Sequence, residues 1–248
     1  MEATTTPKDI IDSIKKEEAN ILKISYKQKP KPTIDNWNSL LPSFIISHTT
    51  QYKEPPVCIE FVNKSGDVSQ FGSLGNFSAI IGKAKSRKTF LLCLYLAAAI
   101  KKNPLNEFIR VTLPDEKNRV ILVDTEQSPY DVSKVDKRVL TIAEEVDPKN
   151  FEVYSFRSLS PPERLFMTEQ LIYSKDDLGI LVLDGIRDFI SDINSPEEAT
   201  MISSKLLKWT QERHIHIIVV LHQNKGDNNA RGHVGSELIN KSESVISV

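Results

Sequence analysis

The segment Gly82-Lys-Ala-Lys-Ser-Arg-Lys88-Thr89 lies between a β-branched run and a strongly apolar stretch. A phosphate-binding loop needs a glycine, backbone N–H groups that curl around phosphate, a lysine for the β and γ oxygens and a hydroxyl for Mg²⁺. Three of the four fixed positions of the usual pattern are present, and Arg87 replaces the second glycine. The predicted phosphate-binding residues are Gly82, Lys83, Ala84, Lys85, Ser86, Arg87, Lys88 and Thr89.

The residues on either side of this loop predict a strand and a buried helix. Residues 76–81 form a short apolar run that ends at the glycine, as in a buried parallel strand. Residues 90–100 are apolar on all faces, too short to span a bilayer and typical of a helix packed on a sheet. This order places the Lys88 and Thr89 amides at a helix N-terminus, where the helix dipole favours anions.

The composition predicts a cytoplasmic globular protein. The chain has 248 residues, of which 40% are hydrophobic, enough to bury a full α/β core. A formal net charge of −1 gives no overall attraction for nucleic acid or membranes, so such binding would need a local patch. Cys58 and Cys93 lie in apolar segments, which is typical of a reducing compartment, and the polar N-terminus lacks a signal-peptide core.

Four helix starts share one signature, with a hydroxyl at the N-cap, proline at the first helical position and a carboxylate three residues after the cap. These caps are Thr6, Ser128, Ser160 and Ser195. Apolar runs alternate with the helices at residues 120–123, 151–156, 180–183 and 215–221. Strands that alternate with helices predict βαβ units and a mainly parallel sheet.

The N-terminal part predicts attachments to this core. The first predicted helix has an apolar face and is joined to the core by the Pro-rich tether of residues 27–32. This arrangement indicates assembly with a second copy of the chain, and the alternative is that the helix folds back on its own core. Residues 57–62 and 68–71 predict a β-hairpin. The predicted division is a helical arm over 1–26, linker and hairpin over 27–70, and the α/β core over 71–248.

Carboxylates follow two of the predicted strands. Asp184 closes the run 180–183, a pattern typical of a second Mg²⁺-binding motif. Glu126 follows the run 120–123 in the order Asp-Thr-Glu, and such a glutamate can orient and deprotonate an attacking water. A strand-end cap for Asp184 and a solvated helix-entry residue for Glu126 are the alternatives.

Together these motifs resemble the RecA-type ATPase core over about residues 71–248, most closely the branch of hexameric replicative helicases and primase-helicases of plasmids and mobile elements. The resemblance implies a RecA-like P-loop NTPase fold that binds ATP and Mg²⁺. It implies that Lys88 binds phosphate and that Thr89 and Asp184 hold Mg²⁺. It also implies that Glu126 is the catalytic base.

The same resemblance extends to residues after the last long apolar run. It implies that Gln223 or His222 senses the γ-phosphate. It further implies that Arg231 is an arginine finger for a neighbouring subunit, with an ordinary loop residue as the alternative. The expected partners are single-stranded or duplex DNA, an expectation that Lys225, Arg231 and His233 support, and further copies in a homo-oligomer such as a hexamer. No membrane partner is expected.

Three features set limits on this interpretation. Arg87 is expected to adopt a positive φ at a cost of about 1–3 kcal/mol, which favours as an alternative a nucleotide-gated regulatory protein with little turnover. Asn224-Lys-Gly-Asp227 matches a guanine-reading motif. GTPases, however, sense the γ-phosphate with a glycine three residues after the strand-end aspartate, and Arg187 stands at that position after Asp184, so ATP is preferred to GTP. Residues 242–248 begin another strand at which family members continue, which leaves a fragment or a shortened form open.

Overall fold

The computed structural model describes residues 34–101, 108–224 and 230–248. The chain divides into two compact units, Met1–Lys53 and Glu54–Val248. In the first unit, helix α1 spans Ile34–Leu40 and a 3₁₀ turn spans Leu41–Phe44. The predicted arm and Pro-rich tether lie outside the described residues, so the predicted division of the chain at residues 26 and 70 stays a prediction.

The second unit contains the predicted α/β core. Its strands are β1 (Val57–Val62), β2 (Val68–Ser73), β3 (Phe77–Gly82), β4 (Ile109–Val111), β5 (Arg119–Asp124), β6 (Phe151–Ser155), β7 (Leu178–Asp184), β8 (His216–His222) and β9 (Val245–Ser247). Its helices are α2 (Lys88–Ile100), α3 (Pro129–Ala143), α4 (Pro161–Ser174), α5 (Pro196–Arg213) and α6 (Gly232–Lys241).

Within the described residues, six strands form a parallel sheet in the order β6-β5-β7-β8-β3-β9. Strand β8 therefore lies between the strand that precedes the loop and the strand that ends at Asp184. The predicted hairpin is also present, since β1 and β2 pair antiparallel, and β4 adds to the other edge of β1. This architecture confirms the predicted RecA-like P-loop NTPase core.

Alternation along the strands divides the core between the two faces of the sheet. On one face, β5 residues such as Leu122 pack with α2 and α3; on the other, neighbours such as Val123 pack with α4 and α5. The helix starts follow the predicted signature at Ser128, whose hydroxyl accepts the Asp131 N–H, and at Ser160, which forms a capping box. Ser195 caps α5 in the same way.

The strands that carry the predicted functional residues are the most deeply buried parts of the sheet. All six residues of β3 are buried, as are the first six of β7. Their carboxyl ends lie at one edge, where connecting loops of an open parallel sheet form ligand sites. Across the residues that the structure describes, no helix combines the length and the apolar character needed to cross a membrane.

Candidate nucleotide-binding site

A cavity of about 320 Å³ lies at the carboxyl ends of β3, β5, β7 and β8. Its lining residues are Lys85, Ser86, Arg87, Lys88, Thr89, Glu126, Gln127, Asp184 and His222. The fold thus brings the predicted phosphate loop, the predicted base and the predicted metal ligands into one site, although they are far apart in sequence. Parallel strand order accounts for this, because each of these side chains follows or ends a strand at the same edge.

Lys88 is the first residue of α2, directly after the loop, and it is 7% exposed. Its ammonium donates hydrogen bonds to the carbonyl oxygens of Gly82 at 2.9 Å and Lys83 at 2.8 Å. Burial lowers the pKa of Lys88, while the carboxylates of Asp184 and Glu126 oppose that shift. The ammonium is therefore held at the cavity by two neutral acceptors, which phosphate oxygens can replace with hydrogen bonds in which both partners are charged.

The first glycine of the loop is required by close contacts. A Cβ at Gly82 would lie 2.5 Å from the Ser86 hydroxyl oxygen and 2.6 Å from the Val248 carbonyl oxygen. Strand β9 runs beside β3 here, and the Val248 N–H donates to the Ile81 carbonyl at 2.9 Å. The loop can curl back over its own lysine because no side chain occupies this position.

Arg87 adopts the predicted positive φ. Its backbone has φ 71° and ψ 21°, in the left-handed region, at the N-cap of α2. Lys85 in the same loop has φ 65°. A side chain in this region costs on the order of 1 kcal/mol or more relative to glycine, so the loop holds its shape against a local conformational preference.

Arg87→Gly is expected to leave Mg-ATP affinity intact or stronger and to leave the unfolding midpoint unchanged or higher, because glycine adopts positive φ without a Cβ penalty. Calorimetric titration and thermal unfolding measure the two effects. His214→Gly is the matched control, since His214 also has a positive φ of 49° but caps α5. About a tenfold loss of affinity in Arg87→Gly alone would show that the guanidinium is a phosphate ligand.

Three carboxylates meet at the ends of β5 and β7. Asp124 is 1% exposed and accepts the N–H groups of Glu126 at 2.9 Å and Gln127 at 2.7 Å. Burial raises the pKa of Asp124. Burial, together with Asp124 and Glu126, raises the pKa of Asp184 to about 7, against the opposing effect of Lys88. The carboxylates of Asp184 and Glu126 thus face the same cavity, where a bound cation would reduce the repulsion between them.

The donor set fits Mg²⁺. Thr89 offers a hydroxyl oxygen and Asp184 a carboxylate at the same cavity, and hard oxygen ligands are those that Mg²⁺ prefers. In the described ranges no group of three or more His, Cys, Asp and Glu side chains could hold a metal ion. A site with few protein ligands suits Mg²⁺, which usually keeps several waters and binds phosphate oxygens.

The raised pKa of Asp184 gives a stability prediction. Ionising Asp184 is less favourable in the folded state than in the unfolded state. The stabilisation that the neutral carboxyl gives to the folded state is therefore complete below pH 3.8 and is lost as pH rises through about 7. Nucleotide-free Asp184→Asn is therefore expected to unfold at a higher temperature than the parent at pH 8, with a difference that shrinks towards pH 5. At about 1.4 kcal/mol per pKa unit, a gain of a few kcal/mol is the upper range.

Thermal unfolding across pH 5 to 8 in metal-free buffer measures this difference. Asp177→Asn is the control of opposite sign, because a hydrogen bond from Arg119 lowers the pKa of Asp177. That variant is expected to lose stability by an amount that stays constant across this range. A midpoint difference between Asp184→Asn and the parent that does not grow with pH contradicts the prediction.

Glu126 contacts His222 across the cavity. The Glu126 Oε1 atom lies 3.3 Å from His222 Nε2, and both side chains are less than half exposed. A hydrogen bond from His222 is the main cause that lowers the pKa of Glu126, against the opposing effect of burial. The Glu126 carboxylate is thus ionised at neutral pH, the form that a general base requires.

The two predicted γ-phosphate sensors lie on opposite sides of the end of β8. His222 lines the cavity, whereas the Gln223 side chain donates to the Ser247 hydroxyl at 3.0 Å, next to β9. Arg231 is exposed at the N-cap of α6, and its N–H donates to the His222 carbonyl at 3.1 Å. Arg231 is not among the residues that line this cavity.

Sequence reasoning missed a second glycine of the site. Gly185 has φ +104°, and a Cβ there would lie 2.8 Å from Glu126 Oε1. The Asp-Gly pair directly after the apolar run at 180–183 was the available signal, since such pairs mark tight turns. Asp227, the last residue of the guanine-reading motif, and Lys225, which supported the DNA expectation, lie outside the described residues.

This fold and this cavity define the class of protein: a P-loop ATPase with a RecA-like core. A family model for the AAA domain matches residues 68–228. The chain belongs to that family. The match covers the phosphate loop, Glu126, Asp184 and the end of β8, and it supports nucleotide binding by this site. Comparison with curated proteins finds no match.

Proposed function

We propose that this chain is a Mg-ATP-dependent, RecA-like DNA motor of the cytoplasm, which couples hydrolysis to translocation on DNA or its remodelling during replication or transfer of a plasmid or mobile element. The observation that carries the proposal is the contact between Glu126 and His222 at the phosphate loop. This contact connects Glu126, which is suited to activate water, with His222 at the end of β8, from which the chain continues out of the site.

The chemistry follows from the geometry of these residues. When bound, Mg²⁺ neutralises charge on the phosphate oxygens, and Thr89 and Asp184 would hold it. Lys88 exchanges the carbonyl oxygens of its own loop for phosphate oxygens. Glu126 takes a proton from the water that attacks the γ-phosphorus, while the bond from that phosphorus to the β–γ bridging oxygen breaks and ADP leaves. The proton remains on the Glu126 carboxylate until it passes to solvent.

The route from this chemistry to DNA runs through the end of β8. Phosphate oxygens near His222 compete for the ring nitrogen that now contacts Glu126. Directly after His222, the backbone of Gln223 forms an antiparallel bridge with Ala230. A shift at His222 therefore acts on the segment that joins β8 to α6, which in the resembling helicases contacts DNA. Further copies of the chain would place Arg231 against the nucleotide of a neighbour.

A second candidate is a nucleotide-gated regulatory protein with little turnover. The left-handed backbone of Arg87 favours it, because a bulky residue at this position keeps the loop from the standard close approach to phosphate. The net charge of −1 agrees with this candidate as well, since it provides no general attraction for DNA.

The rate of phosphate release with and without single-stranded DNA tests the proposal. A motor is expected to hydrolyse ATP several-fold faster with DNA, and the gain should fall as salt rises, because phosphate contacts depend on counterion release. Lys88→Ala is the control for contaminating activity. Hydrolysis that DNA leaves unchanged at low salt contradicts the motor and favours the regulatory candidate.

A further inference from the structure

Thr125 directly precedes Glu126, and its side chain is 2% exposed. Its hydroxyl oxygen lies 3.0 Å from Asp188 Oδ2 and 3.1 Å from the Gly185 carbonyl oxygen. The Asp184 carbonyl oxygen is 3.2 Å away. All three neighbours are acceptors, so the Thr125 hydroxyl is the donor, and it faces the turn that follows the strand of the metal ligand.

The ends of β5 and β7 contact each other closely here. The Thr125 N–H donates to the Asp184 carbonyl at 3.0 Å, which extends the pairing of the two strands by one residue. A Cβ at Gly185 would lie 2.8 Å from both the Thr125 hydroxyl oxygen and Glu126 Oε1. Beyond the backbone pairing of the two strands, one buried side chain therefore links the end of the strand that carries the base to the turn after the metal ligand.

Asp188 is itself anchored from its other side. The guanidinium of Arg164 donates to the Asp188 carbonyl at 2.7 Å. The same group donates to the carbonyl oxygens of Phe156 and Arg157, both at 3.0 Å. The 3₁₀ turn Ile186–Phe189 is thus fixed to the segment after β6. We call this set, the Thr125 hydroxyl, the Asp188 carboxylate and the Arg164 guanidinium, the threonine strap.

We infer that Thr125 is a positioning residue, whose hydroxyl fixes the Glu126 carboxylate relative to Asp184 across two neighbouring strands. The inference rests on the proposed ATP hydrolysis. Catalytic groups must be held within about 0.5 Å of the productive geometry, and a displacement of about 1 Å can reduce a rate about 10²-fold. Thr125 does not line the cavity. Removal of its hydroxyl group should therefore change the position of Glu126 and leave the phosphate contacts in place.

Steady-state kinetics of Thr125→Val test the inference, because valine keeps the shape and removes the hydroxyl. The expected result is a fall in kcat of about tenfold or more with a KM for ATP within about twofold of the parent. Thr125→Ser should restore most of kcat. Thr168→Val is the matched control: Thr168 is fully buried, and its hydroxyl has no hydrogen-bond partner among the described residues.

Amide hydrogen exchange of the nucleotide-free protein gives a second readout that does not need turnover. Thr125→Val should speed exchange at the Glu126 and Gln127 amides, which donate to Asp124, whereas Thr168→Val should not. If the parent hydrolyses ATP no faster than Lys88→Ala, the proposed function is wrong. Amide exchange alone would then test whether the threonine strap positions Glu126. Unchanged exchange in Thr125→Val, or a kcat within about twofold of a hydrolysing parent, overturns the inference.

Discussion

Glu126→Gln is expected to bind Mg-ATP about as tightly as the parent and to lower turnover by a factor of about 10²–10⁴, the range typical of a lost general base. Glutamine keeps the size of the side chain and can still contact His222, so the cavity should keep its shape. The amide cannot accept a proton from water, however. Calorimetric titration with Mg-ATP and phosphate release under saturating ATP separate binding from turnover.

Glu145→Gln is the control for this variant, because Glu145 is an exposed residue beyond the end of α3. It should match the parent in both assays. If Glu126→Gln turns over ATP near the parental rate, the base lies elsewhere, and Asp124 is the next residue to change. The structure argues against Asp124 as the base, since its carboxylate already accepts hydrogen bonds from the turn that follows β5.

Lys88→Ala is expected to weaken Mg-ATP binding by about 100-fold. The ammonium would make charge-assisted bonds to phosphate oxygens, each worth about 1.5–3 kcal/mol, and alanine makes none. Lys83→Ala is the matched control, because Lys83 carries the same charge in the same loop but has an exposed side chain. Circular dichroism of the nucleotide-free variants checks that both chains are folded.

A charge effect and a ligand effect are distinguished by the comparison of these two variants. If both lower the affinity equally, the loop attracts ATP by its general positive charge. If neither does, the assignment of residues 82–89 as the phosphate site is wrong. Only a loss confined to Lys88→Ala agrees with the hydrogen bonds that its buried ammonium makes inside the loop.

Most of the central sheet could be predicted from sequence because its strands are short, continuously apolar and bounded by capped helices. Strand β4 has three residues and α6 starts at Gly232 without a side-chain cap. Both were missed, because so short a run has no measurable period and the helix start carries none of the usual cap residues. The order of the strands also required the structure, since pairing depends on long-range packing that no local pattern encodes.

The candidate site was predictable to the extent that its residues follow strands. Lys88, Glu126 and Asp184 each end or follow an apolar run, and parallel strands bring such positions together. The choice between His222 and Gln223 was open, because neighbouring residues at a strand end point in opposite directions and the end of β8 could not be placed to the residue. The threonine strap depends on a contact between two turns and leaves no sequence signature.

Phosphate release from Mg-ATP by the purified 248-residue chain tests the central claim most directly, measured beside Lys88→Ala and beside the parent in excess EDTA. The account predicts steady phosphate release by the parent and only background release by Lys88→Ala and by the parent in EDTA, because the lysine and Mg²⁺ are needed to hold the phosphates. A parent rate equal to that of Lys88→Ala would contradict the account.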